Sequence, residues 1–204
     1  MEISTQNPAT LRHFIGVARE LADKFRGRAA EAEAMRHVPD ASIDDVRASG
    51  LVRLCQPKRF GGFEEGWDTL CEVVMALGAG DCSQAWVANI YAEHNYLVAL
   101  FPDEAQHEVW DRDPHAMVSS SISPAGNRVE RVKDGFVLAG RWPFVSGLHH
   151  SSWSIVGDLV VDPNDASAPP AHHFFLVPAS DRKVIDDWHT MGMAGTGSAS
   201  ITLD

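Results

Sequence analysis

The sequence predicts an α+β protein: an all-helical N-terminal part, residues 1–113, followed by a β part, residues 114–204, made of antiparallel strands and cut short at its C-terminal end. Two observations carry this reading. From Pro8 to about Ala34 the apolar residues Leu11, Phe14, Ile15, Ala18, Leu21, Ala22 and Phe25 recur at three- and four-residue steps, the period of one helix face. After Pro114 the period falls to two, in short β-rich runs broken by Gly, Pro and Asp. Between the last helical pattern and the final strands lies Gly140–Trp153, which mixes aromatics, hydroxyls and glycines. Such a stretch presents flat apolar surface and hydrogen-bonding groups while letting the backbone approach a ligand closely, which suits a planar heteroaromatic cofactor; the same residues also serve as ordinary strand core.

In order, Pro39-Asp40 breaks the first helix. Ser42, with Asp44 and Asp45 behind it, predicts the N-cap of a short second helix that stops at Gly50. Leu51–Leu54 reads as a brief extended run, and Pro57 with Gly61-Gly62 forces a turn. Helices are expected from about Trp67 to Gly78, from a cap at Asp81 or Ser83 to before Pro102, and from Pro102 through Trp110. In the long helix, Trp86, Ile90 and Leu97 fall on one face together with His94, so a titratable ring points inward. Strands are expected over Met117–Ser123, Val129–Lys133, Phe136–Gly140 (paired across a tight Asp134-Gly135 turn), Trp153–Val161, His173–Val177 and Ser200–Asp204, with a surface loop from Pro163 to Pro170.

The 204 residues carry 17 basic against 28 acidic side chains, a net charge of −11 that opposes binding to nucleic acid or an anionic membrane. Three cysteines, Cys55, Cys71 and Cys82, sit in apolar stretches without C-x-x-C spacing and suggest neither a disulfide framework nor a zinc site. The polar start, Met1–Thr10, lacks the pattern of a signal peptide, so a cytoplasmic location is expected. The pairs His149-His150 and His172-His173, read as strand neighbours, point to opposite sides and do not converge on one metal ion. Gly195-Thr196-Gly197-Ser198 lacks the Lys and the following helix of a phosphate-binding loop. For His94 the alternatives are a core histidine bonded to a carbonyl and a group that takes or stabilises a phenol proton.

Gly50–Leu54 with Pro57–Gly62, Ser123–Gly126, Gly140–Gly147 and Trp188–Ser198 together resemble, in order, the acyl-CoA dehydrogenase superfamily. Within it they are most similar to flavin-dependent monooxygenases of the p-hydroxyphenylacetate hydroxylase type. The resemblance implies a helical domain, a middle β-barrel domain and, in complete members, a C-terminal helical bundle for which no sequence remains here. It implies flavin, FMN or FAD, as cofactor, with Ser146 near the flavin N5 and His94 and Ser120 near flavin and phenolic substrate. Trp86 matches an aromatic two turns before that histidine, and Thr196 and Ser198 lie in a loop close to the cofactor. Implied catalytic residues are therefore His94 and Ser146, and implied cofactor contacts Trp86, Ser120, Ser146, Thr196 and Ser198, with no metal. Dehydrogenases carry Trp-x-Thr where this chain has Pro143 and Val145, which favours the monooxygenase branch.

The expected function is thus the oxygenase component of a two-component monooxygenase, hydroxylating a small aromatic substrate with reduced flavin from a separate reductase. Complete members commonly form homotetramers. The alternatives are an acyl-CoA dehydrogenase-like enzyme acting on acyl thioesters with FAD, and a catalytically silent fragment. The early end leads to the expectation of exposed apolar helix faces at Phe14, Trp86, Ile90 and Leu97 and an exposed sheet edge near Ile201 and Leu203, hence self-association without hydroxylase turnover.

Overall fold

The computed structural model describes residues 8–133, 135–161 and 167–204; the turn expected at Asp134, the loop expected from Pro163 as far as Ala166, and Met1–Asn7 lie outside the described residues. The helices are α1 (Pro8–Met35), α2 (Asp40–Ser49), α3 (Trp67–Gly78), α4 (Cys82–Val98) and α5 (Asp103–Trp110). α1 buries Phe14, Ala18, Leu21, Ala22 and Phe25, the face its periodicity marks. Phe14, Ala18, Leu21 and Phe25 pack with Leu70, Val73 and Leu77 of α3 and with Ala85, Ala88 and Tyr91 of α4 in one apolar core. Asp81 caps α4 by accepting from the Gln84 amide at 2.9 Å.

Two local expectations fail where tertiary contacts outweigh propensity. α2 begins three residues earlier than predicted, with Pro39 rather than Ser42 at its N-cap, and Ser42 lies inside the helix, its hydroxyl donating to Gln84 Oε1 at 2.6 Å. The hydroxyl is thus engaged by other helices rather than by its own backbone: its proton goes to Gln84 of α4, and its oxygen accepts from Arg28 Nη1 of α1 at 3.2 Å. Leu51–Arg53 is a 3-10 turn rather than an extended run. Gly50, at φ 81°, lets the chain leave α2 in a left-handed conformation. Leu51 and Val52 are then buried, and the Val52 carbonyl accepts from Asn95 Nδ2 at 2.6 Å.

The strands are β1 (Val118–Ser121), β2 (Arg128–Val132), β3 (Gly135–Trp142), β4 (Trp153–Val160), β5 (Ala171–Pro178), β6 (Lys183–Ile185) and β7 (Ser200–Leu203). They form two sheets, β1-β4-β5 and β2-β3-β7-β6. Four of the five ladders among the described residues are antiparallel; β1 and β4 pair in parallel, Val118 opposite Trp153. The chain between them crosses to the other sheet through the β2–β3 hairpin and returns, which is the long connection a parallel pair requires. Trp142, Val156, Val177 and Ile201 share a core between the sheets, and Trp142 Nε1 donates across it to the Gly157 carbonyl at 3.0 Å. A third cluster, including Val98, Trp110, Val118 and Ile155, joins the helices to β1 and β4.

Other expectations are corrected by position. β7 runs between β3 and β6, so Ile201 and Leu203 are interior, and β2 and the short β6 are the edges. Of the helix residues expected to be exposed, Phe14 and Ile90 are buried and Leu97 is half-buried, while Trp86 is 44% exposed. His149 and His150 lie on a 3-10 turn, Leu148–His150, not a strand. Cys55 is buried, but Cys71 and Cys82 are exposed. Among the described residues no helix is long and apolar enough to cross a membrane.

The α3–α4 turn touches α1 so closely that a Cβ on Gly80 would stand 2.0 Å from the Ala22 carbonyl oxygen. Backbone on both sides leaves no side chain to swing away. Gly80→Ala should therefore destabilise by about 1–3 kcal/mol, read from the midpoint of urea unfolding; an unchanged midpoint would show that the turn relaxes freely.

Candidate functional site

α4 places Trp86, Ile90, Glu93 and His94 at i, i+4, i+7 and i+8, one side of a helix. Opposite stand Ser120 of β1, the loop after β3 (Pro143–Ser146) and the Gly-rich bend ending at Ser198. Two clefts open between them. The first, of about 540 Å³, is lined by Glu93, His94 and Ser120 among others; the second, of about 410 Å³, by Trp188, Met193, Thr196 and Ser198. Trp86, Phe144 and Ser146 line both and form the wall between them. The six residues marked by the sequence thus gather at one place, although they come from positions 86 to 198.

The wall is held from behind. Val145 N donates to Ala199 O at 3.0 Å and Gly147 N to Thr196 O at 3.2 Å, while the Tyr91 hydroxyl donates to Gly147 O at 2.5 Å. Gly147 has φ 71°, and a Cβ there would meet the Tyr91 ring at 3.0 Å. Phe144 also has positive φ, 61°, and is 70% exposed. A left-handed aromatic residue is uncommon, and this one turns its ring outward between the clefts.

Along the wall runs a chain of polar groups. Trp86 Nε1 donates to Ser146 Oγ at 3.0 Å, Ser146 Oγ lies 2.7 Å from Ser198 Oγ, Ser198 Oγ lies 2.7 Å from Thr196 Oγ1, and Thr196 Oγ1 donates to Met193 O at 2.9 Å. The ends set its direction, because an indole only donates and a carbonyl only accepts. Thr196 spends its proton on Met193, so Ser198 donates to Thr196 and Ser146 donates to Ser198. Ser146 Oγ is left with one free lone pair.

His94 is 2% exposed. Its Nδ1 lies 2.7 Å from the Val118 carbonyl and its Nε2 3.1 Å from Ser120 Oγ. A carbonyl cannot donate, so Nδ1 carries the proton and, in the neutral ring, Nε2 accepts from Ser120. Burial pushes the pKa down from 6.5 to about 4, against the opposing pull of the Val118 bond. Both readings of His94 open in the sequence meet here: it is bonded to a carbonyl, and its other nitrogen faces a cleft. A ring so reluctant to charge orients and accepts hydrogen bonds; it does not hold a full proton.

Sequence reasoning passed over Glu93 and Phe144. Glu93 was legible by the helical spacing that marks His94, three residues after Ile90 and seven after Trp86. Phe144 owes its role to a backbone angle that no local pattern announces. Among the described residues no group of three or more His, Cys, Asp or Glu is placed to hold a metal.

A helical layer against β-sheets, with a two-chambered cleft at the junction, defines the class. A family model for the acyl-CoA dehydrogenase N-terminal domain matches residues 9–112, and the chain belongs to that family. It is 36% identical over 190 residues to the FADH(2)-dependent resorcinol hydroxylase oxygenase component of a Rhizobium species, covering 93% of this chain and 46% of that protein. The HsaA monooxygenase structure from M. tuberculosis superposes with a TM-score of 0.88 at 31% identity, covering 95% of this chain and 50% of the other. XiaF from Streptomyces, solved with FADH2 and glycerol, gives 0.86 at 33% identity, with 96% and 48% covered. The chain spans about half the length of these relatives.

The His94 pKa has a consequence for stability. A histidine whose folded pKa lies below its unfolded value contributes fully above pH 6.5 and loses that contribution as pH falls towards 4. The interval is worth about 3 kcal/mol at most. His94→Gln, which cannot titrate, should lose less stability than the wild type over this range in urea unfolding at stepped pH; parallel curves would place the titration elsewhere.

Proposed function

We propose that this chain is the N-terminal and middle portion of a flavin-dependent monooxygenase oxygenase component, hydroxylating a phenolic substrate with O2 and reduced flavin, FMN or FAD, from a separate reductase. In this reading residues 1–113 and 114–204 are two domains whose junction is the active site. The observation that carries it is the directed chain Trp86–Ser146–Ser198–Thr196 on a wall shared by two clefts, one of which ends at Ser120 and His94. The relatives named above support it.

The residues fit a flavin ring. The second cleft, at about 410 Å³, lies in the range of small-molecule sites and combines two indole-bearing residues with a row of hydroxyls. Trp86, Phe144 and Trp188 supply flat apolar surface, and Ser146, Thr196 and Ser198 supply the polar groups. When bound, the flavin supplies the oxygen chemistry. Ser146, with its proton committed to Ser198, turns a lone pair outward and accepts an N–H, the group a reduced flavin carries at N5. Ser120 stands between the cleft and His94 Nε2; it accepts from a phenol hydroxyl while donating to His94, which polarises the phenol without removing its proton completely. Ile90, Phe144 and Pro143 keep this wall of the first cleft apolar and help exclude water.

Anaerobic titration should show reduced FMN or FAD binding more tightly than oxidised flavin. Ser146→Ala should weaken the reduced form about tenfold, the worth of one buried hydrogen bond, and affect the oxidised form less. Turnover with a reductase and a panel of phenols then tests the reaction. Absence of flavin binding in both redox states would sink this reading.

A further inference from the structure

Glu93 is not used by the reaction as derived above, yet it lines the first cleft beside His94. Its carboxylate receives one hydrogen bond among the described residues, from Asn89 Nδ2 to Oε2 at 2.9 Å, and Oε1 takes none. No Lys or Arg lines that cleft, and residues 1–7, 134 and 162–166 contain none by sequence. Among the described residues Glu93 and His94 are its only ionisable linings, and the histidine is neutral at physiological pH. Burial raises the Glu93 pKa, the Asn89 bond opposing it more weakly, which is the condition of a carboxyl with no cation nearby. The rest of the wall near it is small and polar or apolar: Ser121, Ser123, Ala125 and Ile90.

Resting on the proposed phenol hydroxylation, we propose that Glu93 is the specificity-determining residue of the substrate cleft, selecting phenols that carry a second hydrogen-bond donor, a hydroxyl or amino group, and rejecting phenols with a carboxylate. The physical asymmetry is simple. A second donor pairs with the open Oε1 and relieves the desolvation of the charge. A carboxylate brings a like charge to a cleft that no Lys or Arg lines among the described residues, and buried unpaired charge is costly. The phenol hydroxyl at Ser120 and the second group at Glu93 fix the ring at two points, which sets the carbon presented for attack.

The test is calorimetric titration of the wild-type chain, Glu93→Gln and Glu93→Lys with phenol, resorcinol and 4-hydroxyphenylacetate, with flavin binding measured in parallel. The wild type should bind resorcinol about tenfold more tightly than phenol and show no binding of the carboxylate. Glu93→Gln keeps the shape and should lose most of the resorcinol preference, and Glu93→Lys should bind the carboxylate best of the three ligands. Equal affinities in the wild type, or ratios unchanged in Glu93→Gln, would overturn the assignment, as would flavin binding without any phenol binding. Loss of flavin binding in the wild type would instead strike at the functional reading beneath it, so the two failures are told apart.

Discussion

The hydrogen bond from His94 Nδ1 to the Val118 carbonyl, 2.7 Å long and closed to water, fixes the relation of helix to sheet on which the site depends. One turn of α4 is tied by it to the first residue of β1. The Asn95 side chain, next in sequence, ties the same turn to α2's exit and to α5: Nδ2 donates to Val52 O and Oδ1 accepts from Trp110 Nε1 at 3.0 Å. Neighbouring residues of one helix thus anchor to three different parts of the chain. Because these partners are buried and each donor has an acceptor, displacing α4 would strand several polar groups at once, a cost of about 1–3 kcal/mol for each. The face bearing Trp86, Ile90 and Glu93 is therefore presented at a fixed angle.

On the sheet side the corresponding anchor is Arg182. Its guanidinium is largely buried, has no carboxylate partner among the described residues, and donates to Leu148 O at 2.8 Å, Ser151 O at 2.7 Å, Ser151 Oγ at 3.0 Å and Ser119 Oγ at 3.1 Å, with Ser154 Oγ also in contact. Burial lowers its pKa, yet an arginine keeps its charge, so carbonyl and hydroxyl dipoles do the solvating. The residues it gathers adjoin those of the site: Ser119 precedes Ser120, and Leu148 follows Gly147. A single planar cation thereby holds β1 and the post-β3 loop in register from behind, where the isolated bridge between Ser120 and Ser146 meets them in front.

How much of this the sequence disclosed depends on the range of the determining interaction. α1, α3, α4 and α5 were legible because periodicity and end signals are local, and β2–β5 because runs and turns are local too. Ser42 and Leu51–Arg53 were not, since Gln84 and Asn95, distant in sequence, decide their geometry. The exposure expected of Trp86, Phe14, Ile90 and Leu97 together holds for Trp86 alone, because helical phase tells which residues share a side, not whether that side meets core or cleft. The same phase did bring His94 to that side, and it contained Glu93 unremarked. Position of β7 inside its sheet is a matter of strand order, which alternation of side chains does not encode.

Ser146, which lines both clefts, and Ser120, which lines the first, are each directed from behind. Ser146 belongs to a hydroxyl chain whose direction is imposed by an indole and a carbonyl; Ser120 is directed by a histidine whose direction is imposed by another carbonyl. In each chain a main-chain carbonyl, which has no alternative role, determines which way every hydroxyl proton points. Hydroxyls in water reorient freely and cannot discriminate donor from acceptor, whereas these must break a buried bond to do so. Ser146 and Ser120 consequently each turn an acceptor towards the first cleft, and Ser146 towards the second as well. Preorganisation of this kind costs nothing further at the moment of binding, because it was fixed when the backbone folded.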